Sequence, residues 1–155
     1  MRPGDRLICA FVDHFDQGDR FKDWPLHVTV VPWFRTEFSS DKLADELCDR
    51  LCSHKSFQVV MSDETQLGRG KTVNLVARPT PLMEIEEQVR VVVKRNDAWL
   101  IDETTKRHRE FRPHVTAQKD IRLYRGDTFI CNAFYVIEQK GDHKEVVARV
   151  NLAPI

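Results

Sequence analysis

Trp24-Pro-Leu-His-Val-Thr-Val-Val-Pro-Trp-Phe34 decides the reading of this chain, because its centre, His27-Val-Thr-Val, returns later as His114-Val-Thr-Ala. Both copies lie in runs rich in strand-forming residues. Side chains alternate faces along a strand, so in each copy the histidine and the threonine two places on point the same way. Each copy therefore presents an imidazole beside a hydroxyl. Two copies facing one cleft supply two acid–base groups and two hydroxyl donors, a set able to break a phosphodiester without a metal.

Outward from these phrases the pattern alternates between strand and helix. Arg6 to Val12 reads as a strand, followed by a polar loop from Asp13 to Asp23. Pro25 and Pro32 limit the ends of the first motif strand. Ser39 to Cys52 reads as a helix with a serine cap and one apolar stripe of Leu43, Leu47, Leu51 and Cys48. Phe57 to Met61 returns to strand. Gly68-Arg-Gly70 turns the chain into another strand, Thr72 to Ala77. A long helix starts at Pro79-Thr-Pro81, carries Met83, Ile85, Glu86, Val89, Val92 and Val93, and ends near Asn96-Asp97. A charged loop, Asp102 to Glu110, leads into the second motif strand, Phe111 to Ala117. Thr128 to Gln139 and Glu145 to Leu152 read as two strands joined by a hairpin at Gly141-Asp142. The order describes an α+β chain of two similar lobes within one domain, residues 1–155.

The chain has 155 residues, 41% of them hydrophobic and 31% charged, enough to bury a core of its own. No run of eighteen apolar residues reads as a membrane span, and the first residues lack the apolar stretch of an export signal. Cytoplasmic residence and a monomer are expected. The formal net charge is zero but unevenly spread. Asp13 to Asp49 holds nine acidic and four basic residues, whereas Lys106 to Arg125 holds seven basic and two acidic ones. The basic stretch surrounds the second motif, which suits an anionic substrate. Cys9, Cys48, Cys52 and Cys131 form no disulfide framework in a chain without an export signal. Cys48 and Cys52 are one helical turn apart, yet no second cysteine pair completes a metal set, so they read as small buried helix-face residues.

One His-x-Thr on a strand means little, because threonine favours strands and core histidines are common. Two, both in apolar strands after polar loops, are harder to dismiss. Arg112 lies two residues before His114 and shares its face, where it can pair with phosphate. Lys71 and Arg69 on the glycine turn can reach a phosphate as well. Gly70-Lys71-Thr72 resembles the end of a triphosphate-binding loop. However, Thr65 stands where that motif needs glycine, and a strand follows instead of a helix. Among Phe11, Trp24, Trp33, Phe34 and Phe111, one ring is expected to stack a base, with Trp33 sharing the parity of His27 and Thr29 unless Pro32 breaks the alternation. No carboxylate stands two residues before either histidine, so no metal and no other cofactor is expected.

The paired motifs, the Arg112-Pro113-His114-Val115-Thr116 form of the second, and the turn Gly68-Arg-Gly-Lys-Thr-Val73 resemble the two-histidine (2H) phosphoesterase superfamily. That group includes RNA 2′,5′-ligases and 2′,3′-cyclic nucleotide phosphodiesterases. The resemblance implies a bilobal, pseudo-symmetric α+β fold with two concave antiparallel sheets meeting at a cleft and helices outside. It implies catalytic residues His27, Thr29, His114 and Thr116, with His27 as general acid and His114 as general base. It also implies an RNA or nucleotide substrate bearing a cyclic phosphate. The reading is then a metal-independent phosphodiesterase that opens a 2′,3′-cyclic phosphate to a 2′-phosphate. Cleavage of 2′,5′-linked or cyclic oligonucleotides, and non-catalytic nucleotide binding on the same fold, remain as alternatives.

Overall fold

The computed structural model describes residues 1–68, 70–101 and 111–155. Its strands are β1 (Arg6–Phe11), β2 (Arg20–Phe21), β3 (His27–Arg35), β4 (Phe57–Leu67), β5 (Lys71–Ala77), β6 (Trp99–Leu100), β7 (His114–Thr116), β8 (Thr128–Cys131), β9 (Ala133–Gln139) and β10 (Lys144–Asn151). Its helices are α1 (Ser40–Leu51) and α2 (Thr80–Arg95). The chain is α+β, and among the described residues every strand pairing is antiparallel.

The strands run in the order β2-β10-β9-β1-β3-β7-β5-β4-β8, with β6 added beside β3. The expected pair of sheets is therefore two halves of one continuous sheet. They join where β3 meets β7 through the pair Val28↔Val115. Both motif strands thus lie side by side at the middle of the molecule.

The two faces of this sheet differ. Ile8, Val28, Val115, Phe134, Val136, Ala148 and Val150 share one buried cluster with Leu43, Leu47 and Leu51 of α1 and Leu82, Ile85, Val89, Val92 and Val93 of α2. Leu7, Cys9, Phe11, Trp33, Tyr135 and Ile137 form a second cluster with no helical residue in it. β1 is buried on both faces, which explains its unbroken apolar run. Since Val28 and Val115 face the helices, the histidines and threonines on either side of them face away. Alternation alone puts all four motif side chains on the helix-free face.

Local chemistry accounts for the helices. The Ser39 hydroxyl accepts from the Lys42 N–H at 3.1 Å, capping α1. Leu43, Leu47 and Leu51 make its buried stripe, but Cys48 and Cys52 are exposed. Cys48 stands five positions after Leu43, about 140° around the helix, which takes it out of the stripe. α2 opens with proline in its first turn and keeps its apolar positions at helical spacing.

Three strand assignments differ from the sequence reading. β3 runs through Pro32, because the β1–β3 register slips twice, between Cys9 and Ile8 and again between Ile8 and Arg6. The bulges leave Pro32 exposed and spare it a ladder hydrogen bond. β4 extends to Leu67, since its polar end is held by β5 in a hairpin. The expected strand from Thr128 to Gln139 breaks at Asn132 into β8, which pairs with β4, and β9, which pairs with β1 and β10. Arg69 and the charged loop from Asp102 to Glu110 lie outside the described residues.

One ion pair fixes the far end of β3. Asp5 is 1% exposed. Its carboxylate accepts from Arg35 Nε at 2.7 Å, from Arg35 Nη2 at 2.9 Å and from the Arg2 N–H at 2.7 Å. The Arg35 guanidinium holds the Asp5 carboxyl below the usual carboxylate range. Because the folded form binds its proton less readily than the unfolded form, this stabilisation is present above about pH 4 and fades as pH falls through the lowered value. Asp5→Asn is expected to cost about 1.5 kcal/mol at pH 7, the low end for a hydrogen bond to a charged group, since Arg35 keeps contact with solvent. Urea denaturation at pH 7 and near pH 3.5 checks both parts: the gap between wild type and variant should narrow at the lower pH.

Candidate active site

The Val28↔Val115 pair sets the register of the two motifs. One step in either direction places His27 opposite Thr116 and Thr29 opposite His114. The four side chains form a square on the helix-free face, with the histidines on one diagonal and the threonines on the other. Directly opposed side chains on an antiparallel pair start about 4.5–5.5 Å apart, and diagonal ones about 7–8 Å. A phosphate above the middle of the square has an imidazole on each of two opposite sides and a hydroxyl on each of the other two. All four residues are half-buried, reachable from solvent but walled by their neighbours.

Both imidazoles are held in the same way. Nδ1 of His27 is 2.7 Å from the carbonyl oxygen of Pro25, and Nδ1 of His114 is 2.7 Å from that of Arg112. A carbonyl oxygen can only accept, so each Nδ1 carries hydrogen. Nε2 is then the ring nitrogen left free to take or give a proton, and it is the same atom on both sides. No sequence signal marks these supports, because every residue has a carbonyl.

The environments of the two rings are unequal. Burial pushes the His27 imidazole below its ordinary pKa; the bond to the Pro25 carbonyl opposes this, and the nearby His114 adds to it. Phe11 stands opposite His27 on β1, and Trp24 lies against its ring at 4.4 Å between centroids. Cys9, opposite Thr29, is fully buried, and burial raises its thiol well above the usual range, so it stays protonated.

The other expected binding residues are spread around the square. Val73 of β5 stands opposite Thr116, so Lys71, two residues before it, shares that face; it is exposed. Arg112 is exposed next to β7, and its backbone already serves His114. Trp33 returns to the face of His27, because the two bulges of β3 cancel in parity. It is 8% exposed within the aromatic cluster, however, and Trp24 is the indole that reaches the imidazole. Two of the four described basic residues of this stretch are paired with carboxylates: Arg122 with Glu64, and Arg125 with Asp63 at 2.8 Å. Lys106, Arg107 and Arg109 lie outside the described residues. Among the described residues, no group of three or more His, Cys, Asp or Glu is placed to hold a metal ion, and no helix is long and apolar enough to cross a membrane.

Comparison with known proteins identifies the family and the fold. The family model of the 2′-5′ RNA ligase superfamily matches residues 5–142. No curated protein sequence matches. Among solved structures, one described as a phosphoesterase aligns with a TM-score of 0.66 at 17% identity, covering 98% of this chain and 99% of the other. LigT of E. coli in complex with 3′-AMP aligns with a TM-score of 0.65 at 16% identity, covering 98% and 99%. TT0787 of Thermus thermophilus aligns with a TM-score of 0.60 at 16% identity, covering 97% and 98%. At these identities the structures share a fold with this chain.

Proposed function

The chain belongs to the 2′-5′ RNA ligase superfamily, and from that premise we propose that it is a metal-independent phosphodiesterase that opens a 2′,3′-cyclic phosphate to a 2′-phosphate, on an RNA end or a nucleotide. The observation that carries this reading is the diagonal pair of imidazoles whose Nδ1 atoms are both tied to backbone carbonyls. With that arrangement a phosphate held between the two rings would have one Nε2 on each side, which suits in-line displacement. The complex of E. coli LigT with 3′-AMP supports a nucleotide in a site of this fold.

In the proposed reaction, His114 Nε2 takes a proton from water as the water oxygen bonds to phosphorus. The bond from phosphorus to O3′ breaks, and His27 Nε2–H gives its proton to that oxygen. The products are a 2′-phosphate and a free 3′-hydroxyl. Thr29 and Thr116 donate to the non-bridging oxygens as charge builds on them. Lys71 and Arg112 offer positive charge to the phosphate or to the chain that follows it. In a ligation reaction the two histidines would exchange roles.

A panel of 2′,3′-cyclic, 3′,5′-cyclic and 2′,5′-linked nucleotides in EDTA tests the proposal. The expected result is turnover of the 2′,3′-cyclic members, with a 2′-phosphate as product. Turnover confined to 2′,5′ linkages would move the assignment to that substrate class. Binding of the panel without turnover would make the protein a nucleotide-binding module.

The lowered His27 predicts a pH effect. In the free protein, its imidazole titrates below the ordinary histidine value near 6.5. The acidic limb of kcat/KM is expected to follow that titration, whichever histidine is the acid, because a bell-shaped profile is unchanged when the roles are exchanged. Imidazole NMR titration beside a pH–rate profile checks this. A His27 midpoint at or above 6.5 would contradict it.

A further inference from the structure

Trp24 lies against the ring of His27, with centroids 4.4 Å and planes 31° apart. Phe11 presents its ring to the same imidazole at 6.3 Å and 70°. Trp24 is itself backed by Phe21 at 5.2 Å and Trp33 at 6.1 Å, with Lys144 Nζ 5.3 Å from its ring centroid. The segment that carries it, residues 12–26, is tied down along its length. The Gly18 N–H donates to the Val146 carbonyl and the Val146 N–H to the Asp19 carbonyl, each at 2.8 Å. Arg149 Nη1 donates to the Phe15 carbonyl at 3.2 Å, and Lys144 Nζ to the Lys22 carbonyl at 3.1 Å. The same segment provides the Pro25 carbonyl that holds Nδ1. One strap thus supplies both the hydrogen bond and the wall for one imidazole. His114 has the matching carbonyl but, among the described residues, no aromatic ring paired with it.

We propose that Trp24 is a positioning residue for His27: its indole fixes the plane of the imidazole, so that Nε2 is aimed at the reacting phosphate, and shields the ring from water. The aim at phosphate rests on the phosphodiesterase reading; the contact between the rings does not. The torsion that turns a histidine ring has a broad, roughly two-fold profile. A single hydrogen bond at Nδ1 leaves the ring free to tilt about that bond, and a flat neighbour removes the tilt. Small misplacements of a catalytic group are costly. The groups facing His27 are Thr116 and His114 from β7 and Phe11 with the Cys9 thiol from β1, while Lys144 of β10 lies on the indole. Among the described residues, no carboxylate pairs with it. Its protonation is therefore governed by burial behind the aromatic wall, by the Pro25 carbonyl and by the neighbouring His114.

Trp24→Leu and Trp24→Phe test the proposal, read by kcat and KM, by the pH profile, and by imidazole NMR titration of His27 and His114. Trp24→Leu is expected to lower kcat about tenfold with KM changed less than about threefold. It should also move the His27 midpoint upward, toward 6.5, and leave that of His114 in place. Trp24→Phe should keep most of both properties, and its smaller shift of the same sign decides the matter if the leucine variant fails to fold. A loss of activity with an unmoved His27 midpoint would mean a merely structural role and overturn the proposal. A change in KM alone would overturn it in favour of a base-stacking platform. If the wild type turns over no phosphodiester, the functional reading fails, and the NMR midpoints still decide whether Trp24 governs His27.

Discussion

His27→Ala and His114→Ala are each expected to lower kcat/KM for a 2′,3′-cyclic phosphate by about 10²- to 10⁴-fold, the range for removing one general acid or base. In barrier terms this is about 2.7 to 5.5 kcal/mol. KM should change little, because Nε2 of each ring acts on a proton in flight and not on the bound anion. The double variant should lose much less than the product of the two single losses, since neither proton transfer is useful without the other. The two variants separate on leaving groups. An ester whose leaving oxygen needs no proton should restore much of the activity of the variant lacking the acid, and little of that lacking the base. The proposed roles predict rescue of His27→Ala; rescue of His114→Ala instead would exchange them. Full hydrolysis by both variants in EDTA would remove the two-histidine mechanism altogether.

What made this site legible is the period of a strand. His27 and Thr29, and His114 and Thr116, had to share a face wherever their strands lay. The apolar residues between them, Val28 and Val115, had to seek the core. Local pattern says nothing about which strands are neighbours, so the join at Val28↔Val115, which makes one sheet of the two expected, was not legible. The far part of β4 was hidden for another reason. Asp63, Glu64 and Gln66 are exposed there, so the segment carries no apolar alternation and reads as a loop, yet β5 holds it in a ladder. Pro32 misled in the opposite direction: a proline argues for a strand end, but a bulge lets β3 continue past it. Trp33 shows how parity can come right for an unforeseen reason, two slips that cancel. The choice of Trp24 over Trp33 as the ring beside His27 depended on the path of residues 12–26, which no periodicity describes.

Thr29→Val and Thr116→Val carry the second large expectation. Each hydroxyl sits beside the histidine of the opposite strand, and in the proposed complex that diagonal would meet the non-bridging oxygens of a phosphate held between the imidazoles. Charge on those oxygens grows as the water oxygen bonds to phosphorus, so a donor aimed at them helps the transition state more than the bound substrate. Loss of one such donor typically costs about 10²- to 10³-fold in kcat. Valine keeps the branched shape and the strand preference of threonine, so the square should stay in place and the loss report the hydroxyl alone. Serine restores the hydroxyl without the methyl group, and Thr→Ser should recover most of the activity at either position. The pH–rate profile should keep its midpoints in both valine variants, since neither hydroxyl titrates in that range. A shifted profile would mean that the substitution had moved a histidine. The pseudo-symmetry of the square adds a sharper demand. If both hydroxyls bind the phosphate, Thr29→Val and Thr116→Val should each be damaging. If only one does, its partner merely fills space beside the opposite histidine, and its valine variant should retain near wild-type kcat.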